Sequence, residues 1–141
     1  MKSSVKDAVA ICVNGISKAP FEAEHAALTG VSTNTNHTGY YGEGFVEQFA
    51  ENGDAVAFTV YEDAEAEKNV VIRYSAGTED AQRRISVNGD TVRISLPQTQ
   101  DWDTWAEISV PDHVVAGRNT IDICYNEGDF SGINLDCIRI E

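Results

Sequence analysis

"RISVNGDTVRISL" occupies residues 84–96, and its reading decides the fold. Ile85 and Val87 alternate with polar neighbours, and so do Val92, Ile94 and Leu96 after the turn. Asn88-Gly89 stands between the two runs. A type I′ turn needs positive φ at both central residues, and Asn-Gly supplies it, so the stretch predicts a tight β-hairpin.

The same two-residue period recurs outward from the hairpin. "DAVAFTVY" (54–61) puts Val56, Phe58 and Val60 on one face, and "KNVVIRYS" (68–75) does so with Val70, Ile72 and Tyr74. "WAEISV" (105–110), "NTIDICY" (119–125) and "LDCIRI" (135–140) add three strands, with "FEAE" (21–24) and "GFVEQF" (44–49) nearer the start. About nine short strands separated by Gly, Asn and Asp turns predict an all-β antiparallel sandwich with jelly-roll topology. "EDAEAEK" (62–68) reads as a solvated loop between two of them. No stretch carries a helical period with a cap at each end.

The 141 residues suit a single domain, and 42% apolar content suffices for a core. Residues 1–19 read as a flanking segment or linker that can add an edge strand, with the module itself at 20–141. "AVAICV" (8–13) follows two lysines but is too short for a signal core, and Asp7 interrupts it. It also falls well short of the ~20 apolar residues of a membrane helix. Ten Lys and Arg against 23 Asp and Glu give a net charge of -13. That balance argues against nucleic acid and anionic membranes as partners. Cys12, Cys124 and Cys137 match no zinc spacing and allow at most one bridge. No histidine stands in a nucleophile motif, and no pair among so many carboxylates is singled out for catalysis.

In such a sandwich the loops carry function, here 30–44, 97–105 and 126–134. "PQTQDWDTW" (97–105) holds both tryptophans. Strand parity turns Ala106, Ile108 and Val110 inward and Trp105 and Glu107 outward, with Trp102 in the loop proper. Flat aromatic faces stack on the C–H faces of pyranose rings. The alternative is that either ring folds back as a lid. Glu22 and Glu24, at i and i+2, share one face of a strand, and Asp136 shares the parity of Ile138 and Ile140. Converging, these carboxylates would suit calcium; apart, they are ordinary solvated strand ends.

"FEAEHAALTG", "GYYGEGFV", "GDAVAFTV", "VVIRYSAG", "RRISVNGD", "DWDTWAEISV", "AGRNTIDI" and "GINLDCIRI" occur in this order. The ordered set, over residues 20–141, resembles carbohydrate-binding modules of family 35, with family 6 as a close relative. The resemblance implies a non-catalytic jelly-roll module on a secreted, extracellular enzyme that cuts plant or microbial polysaccharide. It further implies, as partners, a polysaccharide or oligosaccharide and the catalytic module on the same polypeptide; the chain is expected to be a monomer. It implies a structural calcium on Glu22, Glu24 and Asp136, and a sugar cleft built from Trp102, Tyr40 or Tyr41, and Asn134. Trp105, from the reading of its loop, is a further candidate ligand-binding ring. Phe45 competes with the two tyrosines for the cleft wall. Cys137 stands where the family often has an aromatic. Arg83 and Arg84 are available to meet an acidic sugar, so the ligand stays open between neutral and uronic. A calcium-stabilised spacer domain and a small glycan-active enzyme are the competing readings.

Overall fold

The computed structural model describes residues 19–141. Its strands are β1 (Phe21–Glu22), β2 (Ala27–Thr29), β3 (Ser32–Asn34), β4 (Phe45–Glu47), β5 (Ala55–Glu62), β6 (Ala66–Ser75), β7 (Ala81–Val87), β8 (Asp90–Leu96), β9 (Ala106–Val114), β10 (Gly117–Cys124) and β11 (Asn134–Ile140). A single 3₁₀ turn, Ala23–His25, follows β1. One sheet runs β3-β4-β11-β6-β9, with β1 paired to β11; the other runs β2-β5-β10-β7-β8. Every pairing is antiparallel. Only the β3–β4 and β7–β8 connections stay within one sheet; all others cross between the two layers of this jelly-roll sandwich.

The hairpin forms as its sequence dictates. Val87 pairs with Asp90 across a two-residue turn, and φ is 52° at Asn88 and 90° at Gly89. The core lies between the sheets, where Val56, Phe58, Val60, Ile72, Tyr74, Ile85, Ile121, Ile123 and Leu135 are all buried. Each such side chain contributes roughly 1.5–3 kcal/mol by leaving water. Tyr74 keeps its hydroxyl satisfied by donating to the Pro97 carbonyl at 2.7 Å.

Several expectations are corrected. The described residues hold eleven strands, not nine, because β2 and β3 are three residues long, too short for an alternation to show. Of the 62–68 stretch only residues 63–65 form the loop: β5 runs through Glu62, β6 begins at Ala66, and Glu65 and Glu67 flank both ring nitrogens of His113 on β9 at 2.8 and 2.5 Å. "FEAE" breaks after Glu22, so Glu24 sits in the 3₁₀ turn rather than on a shared strand face. Asp136 does not share the core parity of Ile138, because a bulge between Leu135 and Cys137 resets it. Cys124 and Cys137 are both free thiols. The residues preceding 19, and with them the expected flanking segment and Cys12, lie outside the described residues.

Arg83 is also not available to a ligand. It is fully buried on the inward parity of β7, beside Ala81 and Ile85. Its guanidinium donates to the carbonyls of Gln82, Phe49, Phe130 (3.0 Å) and Ser131 (2.6 Å). The rings of Phe49 and Tyr125 lie 4.9 and 4.8 Å from it. Burial lowers its pKa to about 10, so it stays charged at neutral pH. One cation thus ties the 48–54 and 125–133 loops together at one end of the sandwich. We predict that Arg83→Met lowers the unfolding free energy by about 3 kcal/mol, because the carbonyls it satisfies stay buried. Urea denaturation tests this, and a loss below about 0.5 kcal/mol would contradict the structural role.

Candidate functional site

The site is built on the outer face of the six-stranded sheet. Val46, Leu135, Tyr74 and Ala106 point into the core. Their strand neighbours Phe45, Asn134, Arg73, Ser75 and Trp105 therefore point the other way. Residues 35–44 leave β3, cross this outer face and return as β4. Hydrogen bonds at Thr38, Tyr41 and Glu43 help to pin the crossing. Thr38 N–H donates to Asp103 Oδ1 (2.8 Å), and the Trp105 indole donates to the Thr38 carbonyl (2.8 Å). Tyr41 N–H donates to Asp136 Oδ2 (3.0 Å), and Glu43 N–H to Glu24 Oε2 (3.0 Å).

Beneath the crossing, Phe45 is completely buried although it lies outside the main core. The rings of Tyr40, Trp105 and His37 surround it, with centroids 5.6, 5.6 and 5.8 Å away. Trp105 is half-buried, wedged between Phe45 and the Gly39 backbone, with its indole nitrogen already engaged. It props the loop up. Trp102 is different. It lies against Gly77, where an added Cβ would fall 2.6 Å from its Cγ, and His37 is 6.4 Å away, centroid to centroid. Thr99 fixes its loop by accepting from Ala76 N–H (3.1 Å) and donating to the Asp101 carbonyl (2.8 Å). Trp102 keeps an exposed part. Asn134 is buried and pairs in register with Ser75, whose buried hydroxyl has no hydrogen-bond partner.

Of the two tyrosines, Tyr40 packs on Phe45, and Tyr41 lies over the Arg73 guanidinium at 3.9 Å and stays 46% exposed. His37, and not Tyr40, is the ring in contact with Trp102. His37, Arg73, Ser75 and Asp103 did not emerge from the sequence. Arg73 had a signal, an arginine off the core parity of an apolar strand; His37, in a polar run, had none.

Glu22 and Glu24 meet below Gly42, and an Asp136 oxygen lies within 4.8 Å of a Glu22 oxygen. A Cβ on Gly42, whose φ is +58°, would fall 2.8 Å from both Glu22 Cδ and Glu24 Oε2. Only glycine closes the loop onto this cluster. Asp136 also accepts from Arg73 Nη1 at 2.5 Å. Glu22 Oε1 and Glu24 Oε1 are buried with no hydrogen-bond partner. Unpartnered buried carboxylate oxygens fit a hard divalent cation, which takes several oxygen ligands. Burial first, then the Glu24 and Asp136 charges, push the Glu22 carboxyl up to about 7. Burial also pushes Asp136 upward, against the pull of the Tyr41 N–H and Arg73.

These shifts set a pH dependence. Between its ordinary value of 4.5 and about 7, Glu22 binds more protons folded than unfolded. Stability therefore falls as pH rises through that window. His25 and His113, both raised by carboxylate partners, lose stabilisation in the same direction. In chelating buffer, Tm should fall from about pH 5 to about pH 8, and Glu22→Gln should flatten the decline. Differential scanning fluorimetry checks this; a Tm that rises with pH in chelator would contradict the buried cluster.

Comparison with known proteins places this geometry. The profile of the carbohydrate-binding module family 35 matches residues 19–141. An isomaltosyltransferase of Sporosarcina globispora is 41% identical over 97% of this chain, which spans 13% of that enzyme. A Listeria monocytogenes protein crystallised with α-D-glucose, β-D-glucose, magnesium and calcium superposes with a TM-score of 0.88. It is 41% identical over 92% of this chain and 12% of its own. The family 35 module of Paenibacillus barcinonensis superposes at a TM-score of 0.81, with 28% identity over 88% of this chain and 98% of its own. The chain thus spans about an eighth of the curated relative it matches and nearly all of an isolated module. It belongs to family 35 of the carbohydrate-binding modules.

Proposed function

We propose that this chain is a non-catalytic module that binds a neutral glucose polymer and carries an appended catalytic module to it, outside the cell. The observation that carries the reading is the part-exposed Trp102 ring, which lies against Gly77 and in contact with His37. Trp102 stacks on a pyranose face, and Asn134 hydrogen-bonds sugar hydroxyls. Tyr41, backed by Arg73, offers a second exposed ring on the same face. The groove of about 480 Å³ beside Glu24, His25 and Glu43 has no Trp, Tyr or Phe in its lining, and so lacks a stacking surface.

Electrostatics favours a neutral ligand. Arg73, Arg83 and Arg84 all spend N–H groups on protein acceptors, and Asp101 and Asp103 lie in the Trp102 loop. A uronate would meet net repulsion from a chain of charge -13. The two 41%-identical proteins point the same way, one named for isomaltosyl transfer and the other crystallised with glucose. Glu22, Glu24 and Asp136 would hold a structural calcium, which would supply the positive charge that the unpartnered Glu22 and Glu24 oxygens lack.

A shallow sugar site of this kind binds in roughly the micromolar to millimolar range. Isothermal titration against α-glucan, β-glucan and uronate oligosaccharides, with calcium and with chelator, is the test. We expect binding to a neutral glucan, weakened by about tenfold or more in Trp102→Ala. Tyr61→Ala, on the exposed face of the other sheet, should leave it unchanged. Tighter binding to uronates would overturn the neutral assignment. Calcium-dependent melting with no glycan bound would mark a spacer domain instead.

A further inference from the structure

The cation cluster contains a thiol. Cys137 is fully buried and free, and it pairs in register with Glu22 across β1 and β11. The bulge after Leu135 turns it out of the main core, opposite Arg73 rather than an apolar residue. Its Sγ, a Glu22 oxygen and an Asp136 oxygen all lie within 4.8 Å of one another. Glu22 Oε1 is buried and unpartnered beside it.

This donor set is mixed. Calcium takes oxygen ligands and has no use for a sulfur. Borderline and soft divalent ions accept thiolate together with carboxylate, and zinc fills its sphere with three protein ligands and a water. We propose that Glu22, Asp136 and Cys137 form a site for a thiophilic divalent cation of the zinc and cadmium class, which competes with calcium for the two carboxylates. The inference rests on the reading of this cluster as a cation site. On binding, the Cys137 S–H bond releases its proton to solvent, and the sulfur's electron pair goes to the metal. Calcium then occupies the cluster through oxygen alone, whereas the thiophilic ion draws in β11 through Cys137.

Cadmium is the probe, because a cadmium–thiolate bond gives a charge-transfer band in the near ultraviolet. The titration is run on a Cys12→Ser/Cys124→Ser chain, so that Cys137 is the only thiol. The expected result is a band that saturates at one cadmium per chain. Excess calcium should raise the cadmium concentration needed for half-saturation. Adding Cys137→Ser should abolish the band, with folding verified by circular dichroism. Glu22→Gln, which keeps the thiol, should weaken cadmium binding by about tenfold or more. No band in the double variant, or a band indifferent to Glu22→Gln, would overturn the proposal. Thermal shift with calcium in the same double variant separates the two readings. A calcium shift without a cadmium band sinks the thiol site alone; neither signal sinks both.

Discussion

The Asp136 carboxylate is the joint on which the outer face depends. It is completely buried, yet it accepts from Arg73 on β6 and from the Tyr41 backbone on the crossing loop. A carboxylate this far from water is tolerated only with compensating donors or a cation. Arg73 in turn donates to the Gly39 carbonyl at 3.0 Å, lies under Tyr41, and stands 5.5 Å from Trp105. One buried charge thus joins the carboxylate cluster to the aromatic cluster.

The arrangement accounts for two layers of apolar burial in a small domain. The first is the ordinary sandwich core. The second is Phe45 and its surrounding rings, packed on the sheet's outer face and covered by residues 35–44. A loop with three glycines would not hold this position through its own contacts. It is held because carboxylates from three separate elements accept its backbone N–H groups, from Asp103, Asp136 and Glu24. The fixed position of this loop is therefore a consequence of charge placement below it. Preorganisation matters most where little area is buried on binding.

The fold was legible in the sequence where apolar alternation was strong. Val56 to Val60, Val70 to Tyr74 and the Asn88-Gly89 turn fall on the strands and faces that their period demands. It was illegible where one extra residue changes the parity. The bulge at Asp136 leaves no mark in "NLDCIRI", and it alone moves Asp136 off the parity of Ile138 and Ile140. The family resemblance named the carboxylates and aromatics that the structure gathers on this face. It did not reveal their division of labour. Trp105 props and Trp102 presents because one indole nitrogen finds the Thr38 carbonyl, a contact 67 residues apart in sequence. Arg83, offered by composition as a surface cation, is a buried clamp because strand parity and loop carbonyls decide its place.

The central claim is that the buried Asp136 carboxylate holds the 35–44 loop in place. Amide hydrogen exchange of Tyr41 and Glu43 in Asp136→Asn, alongside glucan affinity, tests it most directly. The account predicts faster exchange at Tyr41 in the variant, together with weaker binding, while the β7–β8 hairpin keeps its protection. Unchanged exchange at Tyr41, with glucan affinity intact, would contradict it.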